Sequence, residues 1–259
     1  MNIPVPAFAT GGLVGRVKRR LTRLQARRTV NCAQERFVVS FSFDDFARSA
    51  ATTGAEILES FGWRGTYYAS AGFENANNHL GELFTAADIA ALVSRGHEIG
   101  CHTENHINCA LNAPVVLQRE VRRNQRRLRA LGAPTPRSFA FPFGEASAVA
   151  KTLLGRHYSC LRGIGRTINR RYGDANQLGA VAIEGDTGDA PAVLSYVDNL
   201  KTAPGWLIFF THDVRENPGQ WGCTPALLRT VCEAVQAAGF EVMPVGEAFA
   251  ALGAMEKAA

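Results

Sequence analysis

The chain has 259 residues, of which 46% are hydrophobic and 20% charged, enough to bury a core without disulfides or a structural metal. That composition excludes an intrinsically disordered chain, and no apolar run reaches the roughly 18 residues of a membrane span. The net charge of +5 is unevenly placed: residues 1–30 hold seven Lys or Arg and no acid, leaving 21 basic against 23 acidic residues in 31–259. Two parts are therefore expected, a basic arm over 1–30 and a folded domain over 31–259.

Within the arm, residues 13–28 set Leu13, Val17, Leu21 and Leu24 at helical spacing opposite a dense basic face. Such a helix suits peripheral contact with an anionic membrane, docking against an acidic partner, or packing on the domain with its charges in water. The basic residues follow Pro4 and Pro6 instead of preceding an apolar run, so no secretory signal is read. The expected location is the cytoplasm, at the inner face of the cell membrane if the arm binds lipid. Six cysteines without CxxC spacing fit reduced thiols there.

From residue 37 short apolar runs alternate with amphipathic stretches. FVVSFSF (37–43) and GTYYAS (65–70) read as strands, with a helix around 50–60 between them. A helical stretch over 86–96 leads into the strand HEIG, and a long helix is expected over 113–131. Further strands are expected at 138–142, 157–162, 179–184, 206–212 and 240–245, with helices at 190–201 and 224–238. Strands separated by helices predict a largely parallel sheet or barrel, with reactive groups at the C-terminal strand ends.

The chemistry-bearing residues fall at those ends. Asp44 and Asp45 close the first strand; a break there would let both serve one site, whereas a surface turn with a helix cap is the plainer alternative. His102 and His106 form an HxxxH spacing that converges two imidazoles, on a helical turn or a tight loop, and suits zinc together with a carboxylate. His212 ends WLIFFTH, where an acid–base role competes with that of a satisfied core histidine. His79, His97 and His157 lack comparable partners, and His97 reads as a packed or surface residue. Asp213 reads as a cap for the next segment of chain. The helix over 113–131 adds a second basic face, Arg119 to Arg129, of the kind usually solvated.

SFSFDD, then CHTENH, FAFPFGE and FFTH, in this order over roughly residues 37–250, resemble the polysaccharide deacetylase family, the NodB-homology or carbohydrate esterase family four domain. The resemblance implies an incomplete, distorted (β/α)7-type barrel and removal of N-acetyl groups from a poly- or oligosaccharide, an exopolysaccharide or its lipid-linked precursor. It implies Asp44 as general base, Asp45, His102 and His106 as ligands of one divalent ion (zinc first, then cobalt, nickel or manganese), and His212 as general acid. The Phe143 N–H, next to Gly144, takes the oxyanion donor's place. There are three departures: Phe46 replaces a glycine, Phe143 a tyrosine, and Ala140 the arginine that steadies the base. Arg162 is the candidate for that missing cation, pairing Asp44 through a planar fork, and an ordinary surface arginine is the alternative. The family's Asp-Trp motif has no clear match, with Asp186, Asp189 and Trp206 as substitutes. A hydrolase of a non-sugar amide, a phosphoesterase and a non-catalytic sugar-binding or scaffold protein are the rival readings. Nucleic-acid binding lacks any motif, and self-association is left open.

Overall fold

In the computed structural model, which describes residues 20–256, eight parallel strands form one curled sheet. These are β1 (Phe37–Asp44), β2 (Thr66–Ala69), β3 (Glu98–Cys101), β4 (Ser138–Ala140), β5 (Cys160–Arg162), β6 (Val181–Ala182), β7 (Gly205–Thr211) and β8 (Glu241–Val242). Their spatial order is β6-β7-β1-β2-β3-β4-β5, and β8 pairs with the first half of β1, below β2. An isolated bridge between Arg162 and Leu178, just before β6, spans the gap between the two ends of the sheet. This is the curled, distorted barrel that the family resemblance implied, and it agrees with the alternating pattern.

β1 is central, and its sequence shows why. Val39, Phe41 and Phe43 face the helices outside the sheet, where they pack with Leu207 and Phe209 of β7. The alternate residues face inward, and they are polar: Ser40 accepts a hydrogen bond from Trp206 Nε1 at 2.9 Å, and Ser42 donates to Phe209 O at 2.8 Å. Both faces are buried, as the near-continuous apolar run requires in a parallel sheet.

The helices are α1 (Ala55–Ser60), α2 (Ala86–Ser94), α3 (Pro114–Ala130), α4 (Ala148–Leu154), α5 (Ala190–Thr202), α6 (Pro225–Ala237) and α7 (Val245–Glu256). A single π-turn, Ala50–Gly54, precedes α1 and opens the helix expected at 50–60. α2 starts on a Thr85–Asp88 capping box and α6 on Thr224, with Pro225 at its first position. α7 closes the bottom of the barrel with Val245, Ala248 and Leu252 against Val38, Trp206 and Ile208. Glu98 holds it there, accepting from Gly246 N (2.8 Å), Thr66 Oγ1 (2.8 Å) and Ser138 Oγ (2.7 Å). α4 and α7 are not evident in the sequence, and β5, β6 and β8 are shorter than expected.

Of the arm, residues 1–19 lie outside the described residues, so the helix expected over 13–28 is met only from residue 20. Residues 20–24 are helical, and the following chain lies on the domain. Thr29–Val30 pairs with Gly173–Asp174, Lys151 donates to Thr22 O and Asn176 to Ala26 O. Leu21 and Leu24 remain exposed. The six cysteines are buried, and none is in a disulfide among the described residues.

Candidate active site

Because the strands run parallel, Asp44, His102, the Pro142–Gly144 turn, Arg162 and His212 all emerge at one end of the barrel. The break after β1 is a residue in left-handed conformation, Asp45 with φ 47°. It turns the chain so that two adjacent carboxylates, which a continuous strand would send to opposite faces, enter one site. Thr103, His106 and Phe143 also have φ between 51° and 62°. Backbone of this kind costs energy in non-glycine residues and persists only where the surroundings enforce it.

HxxxH is held on a loop; the helical alternative is not realised. α3 clamps that loop from behind. Glu120 accepts from Asn105 N (2.9 Å), Arg127 donates to Glu104 (3.0 Å), and the buried Asn124 joins Ala71 N to Ala69 O at the end of β2. Gly72 completes the clamp: its N–H donates to Glu104 O at 2.8 Å, and a Cβ there would stand 2.6 Å from that oxygen. Arg127 aside, the arginine face of α3 points to solvent.

The ligand atoms of Asp45, His102 and His106 lie within 4.8 Å of one another. His102 Nδ1 lies 2.8 Å from Ala140 O, a donation that leaves Nε2 as the basic nitrogen, 3.9 Å from Asp45 Oδ1. His106 Nε2 is 3.0 Å from Asp45 Oδ2. A carboxylate and two imidazoles, one with its second nitrogen anchored on a carbonyl, are a donor set that fits a divalent transition metal with positions left open. Burial pushes His102 down to about 4, against the attraction of Asp45 and Asp44. Burial alone would raise Asp45, but the two imidazoles overcome it and hold the carboxyl well below its usual range. Both directions favour the deprotonated forms that bind metal.

Asp44 stands beside this triad, and the fully buried Arg162 guanidinium touches both of its oxygens, Oδ1 at 2.5 Å. Arg162 is the register partner of Ala140 on the neighbouring strand, so a cation arrives directly across from the position where the arginine is missing. The expected fork is not what forms: Nη2 alone meets both oxygens, and Nη1 donates to Gly163 O. The guanidinium instead lies between the rings of Tyr68 and Phe210, 5.1 and 5.0 Å from their centroids. Phe46, in the glycine's place, is core, stacked on Phe84 at 4.6 Å. The Phe143 ring packs edge-on against His106 at 4.3 Å, with Gly144 behind it.

His212 is half-buried, and its Nδ1 lies 3.0 Å from Trp221 O, leaving Nε2 for the site. The fully buried Asp213 braces the loop that presents this carbonyl, accepting from Gly219 N (3.0 Å) and Arg215 Nε (2.6 Å) rather than capping a helix. None of the three substitutes for the Asp-Trp motif reaches His212. Asp186 and Asp189 cap each other's turn at the surface, and Trp206 is core. The sequence reading missed Trp221, which acts through its backbone, and Glu184. By the register of β6 and β7, Glu184 stands beside His212; burial raises its carboxyl, with His212 and Arg166 opposing. His97 is buried within the core, and His79 and His157 are exposed.

Residues 32–157 match the family described as polysaccharide deacetylase, in agreement with the motif resemblance. No curated protein matches the chain by sequence. Among solved structures it is similar to a family 4 acetyl xylan esterase from Clostridium thermocellum in complex with a cobalt ion (21% identity, 82% of this chain and 90% of that one, TM-score 0.57). It is also similar to a peptidoglycan N-acetylglucosamine deacetylase (14%, 85% and 91%, TM-score 0.57). A third similar structure is a carbohydrate esterase family 4 pseudoenzyme from Bacillus anthracis (15%, 83% and 66%, TM-score 0.57). At these identities the likeness establishes the fold.

Proposed function

We propose, from the premise that residues 32–157 are a polysaccharide deacetylase region, that the protein is a metal-dependent hydrolase removing N-acetyl groups from a saccharide. The observation that carries this is the convergence of Asp45, His102 and His106 beside an Asp44 held by a buried arginine, with His212 at the same barrel end. A divalent ion held by the three would supply a Lewis acid, lowering the pKa of a water toward about 7 and polarising the acetyl carbonyl. The chain's own residues do the rest. Asp44, engaged by Arg162 rather than by the imidazoles, accepts the proton of the attacking water. The Phe143 N–H, aimed by the left-handed turn, donates to the developing oxyanion. His212, its Nδ1 tied to Trp221 O, delivers a proton from Nε2 to the departing amine, which is otherwise a poor leaving group.

The direct test is acetate release from N-acetylated chito-oligosaccharides by protein loaded with zinc or cobalt. Release in wild type and its loss after chelation support the reading. No release with zinc, cobalt, nickel or manganese on saccharide or small amide substrates would sink it, and a pseudoenzyme among the similar folds makes this measurement decisive.

A further inference from the structure

Where the arm lies on the domain, a groove of about 460 Å³ opens between residues 23–27 and the segment after β5. Four arginines line it: Arg23, Arg27, Arg170 and Arg171. Three are held by backbone carbonyls, Arg23 by Ile164 (3.3 Å), Arg27 by Tyr172 (2.7 Å) and Arg170 by Ala203, Pro204 (2.8 Å) and Asn199 (3.0 Å), with Asn199 Oδ1 (2.9 Å) a further acceptor for Arg170. Arg171 lies over the Tyr172 ring at 5.7 Å. None of the four has a carboxylate partner among the described residues. The groove's one acid, Asp174, is taken by the buried Lys151 at 2.7 Å and by Arg28 N. Arg170 is fully engaged and frames the groove, while Arg23 and Arg27, each with one bond to a carbonyl, and Arg171 keep most of their N–H groups for phosphate oxygens, with no carboxylate among the described residues competing for them.

The groove also touches the proposed active site. Ile164 is part of its wall, and a Cβ on Gly144 would stand 2.2 Å from Ile164 Cγ1. Gly144 follows Phe143, whose ring meets His106. Leu24, Ile164 and Tyr172 leave exposed apolar surface beside the arginines.

We propose that this groove binds the phosphate of a phosphate-bearing saccharide, whose acetylated sugar reaches past Ile164 to the barrel mouth. The assignment rests on the deacetylase reading only for what lies at the sugar end. The phosphate comes either from a soluble sugar phosphate or from a lipid-linked one.

The test is binding, measured on full-length Asp45→Ala so that phosphate at the metal site does not contribute. Calorimetric titration with inorganic pyrophosphate should give saturable binding. It should weaken at least about tenfold in Arg27→Gln/Arg171→Gln and stay unchanged in Arg122→Gln/Arg123→Gln on the solvent face of α3. Should loss of Arg27 loosen the arm, Arg171→Gln alone still weakens binding. Competition by N-acetylglucosamine 1-phosphate identifies the soluble source. Pyrophosphate-sensitive binding to phosphatidic acid vesicles, absent with phosphatidylcholine alone, identifies the lipid. Equal binding by the wild-type groove and the groove variants, or equal loss in the α3 variant, overturns the proposal. Failure of acetate release would leave this result untouched.

Discussion

Two neighbouring carboxylates meet different partners because the chain turns left-handed at Asp45. Asp44 faces a buried guanidinium and Asp45 faces two imidazoles, so the proposed metal and proton chemistry are separable by mutation. His102→Ala and Asp45→Ala should each lose the bound metal, measured by elemental analysis; full occupancy in both would refute the ligand set. Asp44→Asn and His212→Ala should keep the metal and lose roughly a hundredfold or more in turnover, as acid–base groups do. Arg162→Lys should lower kcat by about tenfold or more at unchanged metal content. An ammonium can approach both Asp44 oxygens, but it lacks the flat face that Tyr68 and Phe210 sandwich. Turnover like wild type in Arg162→Ala would show that the pairing does not serve catalysis. Asp44, Asp45, His102 and His212 stood out in the sequence as reactive side chains at strand ends and His106 by its HxxxH spacing, and the structure brings the five to one end of the barrel. Trp221 did not stand out, because a carbonyl acceptor leaves no mark in residue type. The cation opposite Asp44 could be guessed from the alanine at 140, but its sandwich between two rings needed the register of β4 and β5.

At the scale of elements, α3 is the part that shapes the proposed metal site without touching it. Glu120→Ala or Asn124→Ala should weaken metal affinity by about ten- to a hundredfold, the range for groups that orient ligands. Arg123→Ala, on the water side, should leave it unchanged; equal effects in a calorimetric titration would deny the clamp. His97 joins three elements: its Nδ1 accepts from Gly65 N at 3.0 Å, and its Nε2 donates to Glu59 of α1 at 2.8 Å. Burial, opposed by Glu59, holds it below its usual pKa, so it stays neutral where the unfolded chain is protonated. A folded pKa below the unfolded one means the unfolded state binds more protons on acidification. The contribution is complete above about pH 6.5 and is lost as pH falls toward the folded value. The melting temperature of His97→Gln should therefore decline less than that of wild type between pH 7 and 5, and parallel curves would count against this. The long helices were readable from their 3.6 spacing, and α3 falls within one residue of expectation at each end. α4 and α7 were not, since their sequences are short or uniformly apolar and carry little periodic contrast. β6 and β8 pair over two residues each, too few for a pattern to declare their limits.

The molecule as a whole is a barrel plugged at one end by α7, with the proposed active site at the other, and Glu98 ties the plug to β2 and β4. Glu98→Ala strands Gly246 N, Thr66 Oγ1 and Ser138 Oγ in the barrel's lower interior. It should cost about 1–3 kcal/mol, read by urea denaturation, with metal affinity unchanged. A cost below about 0.5 kcal/mol would mean that α7 docks by its apolar face alone. A parallel sheet or barrel was readable from the alternation of elements; the arm's path was not, because it is attached by a two-residue strand pairing and by side chains reaching backbone carbonyls.

The pairing of β1 with β7 has a consequence for how the chain reaches this state. Trp206 meets Ser40 across 166 residues of sequence. As the protein is synthesised, the strand bearing Asp44 emerges early with its β7 edge open and its row of Val39, Phe41 and Phe43 uncovered, and that edge stays open until residues 205–211 have left the ribosome. Contacts so distant in sequence close slowly, and the half-built sheet is a natural client for chaperones throughout that interval.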